Sequence, residues 1–318
     1  MRCTTALSFA CMLGVASCAT TTRSSTPAPS RPLVDHHQHL FSAATHARVA
    51  ALPLRDAADL LAQLDSTGIR RAVVLSMAYG FAREPVQVEN EIEKVRAEND
   101  WTAAQVARYP DRLRGICSVN PLRDYAIEEI ARCARNAHIR SGLKLHFGAS
   151  DVRLDDTAHV ARVRRVFRAA NEHRMAIVMH MRASVDRKRP YGARNADVFL
   201  NELVTAAPDV PIQIAHLGGA GGYDDPGADS VIAVFVDAVA KRDPRMRNVY
   251  FDLSGGLATS TTRHALIVRR LRELGIGRLL YGSDAAVLPA TEYASFRTLP
   301  LTAEEFRRIQ SNVAPYVK

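Results

Sequence analysis

Five residues scattered along the chain have side chains that one divalent metal ion could gather: His37, His39, His180, His216 and Asp284. Imidazole and carboxylate suit zinc, with manganese or iron(II) as alternatives. His37 and His39 stand in the run Asp35-His36-His37-Gln38-His39. If that run is a strand, alternation puts Asp35, His37 and His39 on one face and His36 and Gln38 on the other. Two imidazoles at this spacing reach one ion, although an isolated pair is equally well read as hydrogen-bonded core histidines. The other three residues favour the metal, because each closes its own short apolar run. An ion with an open position lowers the pKa of bound water from about 15.7 toward about 7. Asp284 beside that water could accept its proton and pass it on, while His216 steadies a developing oxyanion.

Three further residues sit near the same run ends. Lys144 and His146 share a face of Gly142-Leu143-Lys144-Leu145-His146. A buried lysine needs a partner or a modification, and Lys144 reads first as a substrate-binding or acid-paired lysine. His146 either lines the pocket or is a hydrogen-bonded structural histidine. Arg182, two residues beyond His180, either clamps a substrate carboxylate or forms a salt bridge at the rim.

The elements that must position these groups alternate from Pro32 onward. Strand candidates are 33–40, 71–77, 113–119, 142–147, 175–181, 211–217, 249–254 and 278–283. Most are continuous apolar runs, the pattern of parallel strands buried on both faces. Helix candidates are 56–67, 87–108, 124–137, 156–173, 194–206, 228–242, 262–274 and 303–312. Gly68, Pro110, Pro208 and Gly275 end several of them, and Thr302 with Glu305 has capping-box spacing. The expectation is an α/β fold, one closed (β/α)8 TIM barrel whose site lies at the C-terminal strand ends. No GxGxxG follows the first strand, which disfavours a dinucleotide-binding sheet. Gly218–Gly222 reads as a mobile loop near the site. Tyr79, Phe81, Asn120, Gly255 and Gly256 fall in loops that should shape the pocket. No serine sits in a GxSxG elbow.

The segments VDHHQHL, IVMHMR, IQIAHLGG, LLYGSDA and LTAEEFRRIQSNVAPY resemble the amidohydrolase superfamily, in its amidohydrolase-related branch of hydrolases and decarboxylases. The resemblance spans about 33–317. It implies a metal held by His37, His39, Asp284 and often His180, with His216 a second-metal ligand or an acid–base residue. It also implies a second role for Lys144, as a carboxylated bridge between two ions. The expected activity is hydrolysis of a small amide, ester or lactone. Alternatives are decarboxylation by the same metal, or a non-catalytic periplasmic binding lipoprotein.

The remaining features bound the partners. A net charge of +9 comes largely from dispersed arginines such as Arg162, Arg164, Arg165 and Arg168, a solvated helix face. With 6% aromatic residues and no compact basic run, a nucleic-acid partner is not expected. A small-molecule substrate is expected, and assembly with further copies of the chain stays open. The first residues, a charged start and an apolar stretch ending Val15-Ala16-Ser17-Cys18, read as a lipoprotein signal peptide over 1–17. Cys18 would be lipidated, 18–31 would be a flexible tether, and the barrel would fill 32–318. The expected location is the periplasm, anchored to the outer membrane by lipid alone. Cys117 and Cys133 are expected as buried free thiols, a disulfide requiring an oxidising compartment.

Overall fold

The computed structural model describes Met1 and residues 31–183, 188–284 and 288–317. Apart from Met1, the expected signal peptide lies outside the described residues, as do Cys18 and the tether up to residue 30.

The eight strands are β1 (Val34–Gln38), β2 (Arg71–Leu75), β3 (Leu113–Ser118), β4 (Gly142–His146), β5 (Ala176–His180), β6 (Ile212–Ile214), β7 (Val249–Asp252) and β8 (Leu279–Leu280). They pair in chain order, β1 to β8, every pair parallel. Backbone bonds complete the ring: His36 N–H donates to the Tyr281 carbonyl (2.9 Å) and Asp284 N–H to the His37 carbonyl (2.8 Å). The architecture is the (β/α)8 barrel expected from the alternating pattern.

The α-helices are α1 (Ala43–Arg48), α2 (Ala57–Thr67), α3 (Glu91–Ala107), α4 (Ala126–Ala134), α5 (Phe147–Ser150) and α6 (Thr157–Glu172). They continue as α7 (Ala193–Val198), α8 (Pro226–Ala240), α9 (His264–Leu274), α10 (Pro289–Phe296) and α11 (Ala303–Ser311). Local chemistry sets their ends. Asp56 accepts from the Ala58 and Asp59 N–H groups at the start of α2, and Gly68 closes that helix at φ +74°. Thr302 and Glu305 form the expected capping box of α11. The expected helix over 194–206 starts as α7, then loosens into a π turn at Phe199–Leu203 and a 3-10 turn at Val204–Ala206. Three short helices in strand-end loops, α1, α5 and α10, were not expected. They are too short for apolar periodicity to register.

Two cores hold the barrel. Between strands and helices, the rings of Phe167, Phe199, Phe235 and Phe251 meet edge to face at 6.0, 6.0 and 5.4 Å, each burial worth about 1.5–3 kcal/mol. Inside the barrel, Val34, Val73, Leu75, Ile116, Val178 and Leu280 pack together with Ala314 and Val317. The segment 313–317 thus stoppers the end where the strands begin. Ala314 N–H donates to His36 Nε2 (3.2 Å), and the Tyr316 hydroxyl donates to Gln213 Oε1.

The expectation of free thiols is corrected. Cys117 of β3 and Cys133 of α4 form a disulfide, with Cα atoms 6.1 Å apart. Both side chains face the same buried layer, at a separation a disulfide spans without backbone movement. Among the described residues, no helix is long and apolar enough to cross a membrane.

Candidate metal centre

At the C-terminal end of β1 the pairing with β2 is irregular between Asp35 and Gln38. Strict alternation therefore fails there. Asp35 accepts from His37 N–H (3.1 Å), Gln38 Nε2 (3.0 Å), Ser283 N–H (3.0 Å) and Ser283 Oγ (2.5 Å). It pins β1 to the chain after β8, while His37 and His39 turn to the strand-end site.

Each of those two histidines is oriented by its Nδ1. His39 Nδ1 lies 2.8 Å from the Leu75 carbonyl, which can only accept, so Nδ1 carries the proton. Nε2 then presents its lone pair, 3.9 Å from Asp284 Oδ1. His37 Nδ1 lies 3.0 Å from Asp252 Oδ2, and its Nε2 is 4.0 Å from Asp284 Oδ1. Ligand atoms of His37, His39 and Asp284 lie within 4.8 Å of one another. Donors bound at about 2.0–2.2 Å to one ion sit roughly 3–4 Å apart. The carboxylate–histidine pair is the usual outer support of a metal-bound imidazole. The residues therefore fit a divalent metal.

His216 stands beside this group. Its Nδ1 is 3.0 Å from Ser254 Oγ and 3.2 Å from the Ser254 carbonyl, and its Nε2 is 3.7 Å from Asp284 Oδ2. Its backbone N–H donates to Asp252 Oδ1 (2.9 Å). His216, Leu217 and Asp284 have φ of 55°, 48° and 65°, left-handed conformations costing about 1–3 kcal/mol each that cluster at functional sites. Gly255 backs the imidazole so closely that a Cβ there would lie 2.6 Å from His216 Nδ1. The Gly218–Gly222 loop, expected as mobile, is tied here: Gly222 N–H donates to the Gly255 carbonyl (3.1 Å). Gly256 N–H donates to the buried Glu292 of α10 (3.2 Å).

His180 and His146 are placed differently. Paired in register across β4 and β5, their rings stack 4.0 Å apart at 13°. His180 meets His216 edge-on at 5.1 Å but belongs to neither ligand group formed with His37. His146 Nδ1 accepts from Ala149 N–H (3.0 Å), so the neutral ring carries its proton on Nε2 as a donor. Lys144 is buried, its Nζ 3.3 Å from His37 Nε2. No carboxylate lies within 4.0 Å of it among the described residues. It points to the place where an ion would sit, not to the rim.

Arg182 does not enter the cavity. Its Nε donates to Asp225 (2.5 Å), and its guanidinium lies over Tyr191 at 4.7 Å. Among the described residues, the cations that line the cavity beside His146 and His180 are Arg48 and Arg83. That cavity holds about 580 Å³ and includes Tyr79, His146 and His180 in its wall. Tyr79 packs 4.9 Å from His146 and 6.5 Å from His39. Phe81 lies in another cavity, and Asn120 braces loops through the Ala82 carbonyl (2.7 Å).

Burial pushes His39, His146 and His180 well below the ordinary histidine range, and His216 below it too. Neutral imidazoles are what a metal needs. Burial also lowers Lys144 to about 8, against the pull of Asp284 and Asp252. For Asp252 burial alone would raise the pKa, but His37 and several hydrogen bonds outweigh it and hold the carboxyl well below its usual range. Burial and the nearby acids Asp284, Asp35 and Asp252 raise Glu292 to about 7, against its Gly256 hydrogen bond.

Asp252 was missed in the sequence, with Ser254 and Gln213. Gln213 Nε2 donates to Asp252 Oδ2 (2.7 Å). The signal was there: a glutamine inside Ile212-Gln213-Ile214 and an acid ending Val249-Tyr250-Phe251-Asp252 are polar residues in strands buried on both faces.

The amidohydrolase family profile matches residues 34–312, and the chain belongs to that family. Among curated proteins, none matches it in sequence. Solved structures share its fold. The 5-carboxyvanillate decarboxylase LigW from Sphingomonas paucimobilis has a TM-score of 0.64 and 20% identity, over 89% of this chain and 97% of that one. LigW2 from Novosphingobium aromaticivorans, also a 5-carboxyvanillate decarboxylase, was solved with manganese and 3-methoxy-4-hydroxy-5-nitrobenzoic acid. Its TM-score is 0.61 at 16% identity, over 90% and 96% of the two chains. A probable 2-pyrone-4,6-dicarboxylic acid hydrolase from Acinetobacter baumannii, with citric acid bound, scores 0.56 at 16% identity, over 87% and 96%. Family membership and the manganese of one such structure support a divalent metal here.

Proposed function

We propose that the chain is a metal-dependent decarboxylase of a carboxylated aromatic ring, with His37, His39 and Asp284 holding the metal. The observation that carries this reading is the ring wall Tyr79–His146–His180, which abuts His39 at one end and His216 at the other. Stacked on one another, these rings turn their edges to the cavity, and a ring edge meets the face of an aromatic substrate in T-shaped contact. Arg48 and Arg83 at the same cavity suit an acid group, and the His146 Nε2–H supplies one further donor. Two fold relatives bear names of decarboxylases acting on a ring of this class, which moves the reading from hydrolysis, the first expectation, to its alternative.

When bound, the metal would act as a Lewis acid that anchors the substrate's oxygen atoms. The chain's residues do the rest. Decarboxylation breaks the ring-to-carboxyl bond, releases carbon dioxide and requires a proton at the ring carbon. Asp284, between the Nε2 atoms of His37, His39 and His216, is positioned to hold that proton and deliver it. His216, fixed by Ser254, orients the carboxylate against Asp284. Lys144 stands as a buried donor beside His37 and, with His216, as a further ligand if two ions bind. Arg182 acts on the rim loop through Asp225 rather than on substrate.

Hydrolysis is the second reading, favoured by the pyrone hydrolase among the fold relatives. The manganese- or zinc-loaded protein is offered 5-carboxyvanillate and 2-pyrone-4,6-dicarboxylate in ¹⁸O-water. Carbon dioxide release with no ¹⁸O in the organic product is expected. Ring-opened product carrying ¹⁸O, without carbon dioxide, would overturn decarboxylation.

We further propose export and lipid anchoring at Cys18, with 1–17 removed and 18–31 as tether to a barrel from residue 32. The Cys117–Cys133 disulfide favours an oxidising compartment such as the periplasm. Mass spectrometry of the mature N-terminus should find an acylated Cys18. An unmodified cysteine or a retained Met1 sinks this proposal.

A further inference from the structure

A second cavity of about 570 Å³ lies between α1, the 3-10 turn Ala78–Ala82 and α3. It nearly equals the cavity beside His146 and His180 in size and falls in the range of small-molecule sites. Its walls are the small side chains of Ala44, Ala47 and Ala97, with the rings of Phe81 and Trp101. Arg48 and Lys94 supply its positive charge.

Both cations are available. The Arg48 Nε donates to the Gly80 carbonyl (2.7 Å), and its guanidinium stands 6.0 Å from the Phe81 ring centre. Neither Arg48 nor Lys94 has an acid within 4.0 Å among the described residues. Glu98, four residues past Lys94, would be the usual helical partner. It turns inward instead, accepting from Ser42 Oγ (2.6 Å) and Thr45 Oγ1 (3.0 Å), and ties α1 to α3. Committed to that brace, Glu98 does not neutralise Lys94. Arg48 lines the cavity beside His146 and His180 as well, so the two spaces share one cationic wall.

We propose that this cavity is a second ligand site, for an aromatic ring carrying an acid group. The ring packs between Phe81, Trp101 and the alanines, and the acid group meets Arg48 and Lys94. The site does not depend on which reaction is performed at the metal centre, but it shares Arg48 with the cavity proposed for the substrate, so the two ligands would meet at that guanidinium.

Trp101 is the chain's single tryptophan and lines this cavity, so its emission senses a probe bound here or nearby, and the two variants below localise it. The probe is 8-anilinonaphthalene-1-sulfonate, an aryl anion that takes up tryptophan emission. Saturable quenching of Trp101 is expected in the metal-loaded protein. Ala97→Phe fills the cavity, and Lys94→Glu reverses its charge. Each should weaken the probe about tenfold, roughly 1.4 kcal/mol, with unchanged circular dichroism and metal content. Unchanged affinity in both variants, or no quenching in the parent, would overturn the site. If one variant loses its fold, the other decides.

Discussion

The two sides of the candidate centre hold their histidines by different means. At the ends of β1 and β6 each imidazole is fixed through Nδ1 by an oxygen: His39 by the Leu75 carbonyl, His37 by Asp252 and His216 by Ser254. On the β4–β5 side His146 and His180 stack on each other, and His146 takes the opposite tautomer, its Nδ1 accepting from the Ala149 N–H so that Nε2 carries the proton. A hydrogen bond to Nδ1 sets the tautomer and aims the Nε2 lone pair, which is what a metal requires. A stack sets the plane of each ring and turns its edge to the cavity, where the face of an aromatic ligand can meet it. One residue type thus serves two purposes, and the local partner decides which.

The sharpest way to break this contrast is Asp252→Asn. It keeps the shape but removes the charge that orients His37, so metal affinity should fall about 10–100-fold, read by competition with a chelator. An unchanged affinity would mean that His37 needs no such support. His146→Phe attacks the other side. The stack can persist, but the Nε2–H donor is lost. Metal content should hold while KM for the aryl acid rises roughly tenfold, on the scale of one hydrogen bond to a charged group. A loss of metal instead would place His146 with the ligands.

The smallest effect concerns Glu292, which braces Gly256 behind His216. Its carboxyl is raised from 4.5 to about 7 in the fold. The folded state therefore favours its neutral form. That contribution is fully present below about pH 4.5 and is lost as pH rises through about 7. Relative to Glu292→Gln, the parent should lose thermal stability across that window and show no further difference above it. Parallel melting curves for the two proteins would place Glu292 outside this linkage.

How much of this was legible follows from what each residue signals. The strand order and the convergence of His37, His39, His216 and Asp284 could be read because a closed barrel gives every strand end one destination. His180 carried the same signal, yet its ring answers to His146, a contact across two strands that spacing along one strand does not encode. Asp35 was expected beside His37 and His39, but a pairing irregularity in β1 turns it to Ser283. Arg182 was open between a clamp and a rim salt bridge, and Asp225, the salt-bridge partner 43 positions on, was not named by the sequence. The disulfide was open for the same reason. Residue type announces capability, while the partner that decides its use is named only by three-dimensional proximity.

The stopper at 313–317 ties the centre to the order in which the chain is made. Tyr316 bonds Gln213, Gln213 bonds Asp252, and Asp252 orients His37. His37 leaves the ribosome near the start of the barrel and Tyr316 near its end, and Ala314 meets His36 across 278 positions. Contacts of such separation form late. The support beneath the ligands is therefore complete only once 313–317 has docked, and until then Asp252 holds His37 without the Tyr316–Gln213 brace behind it.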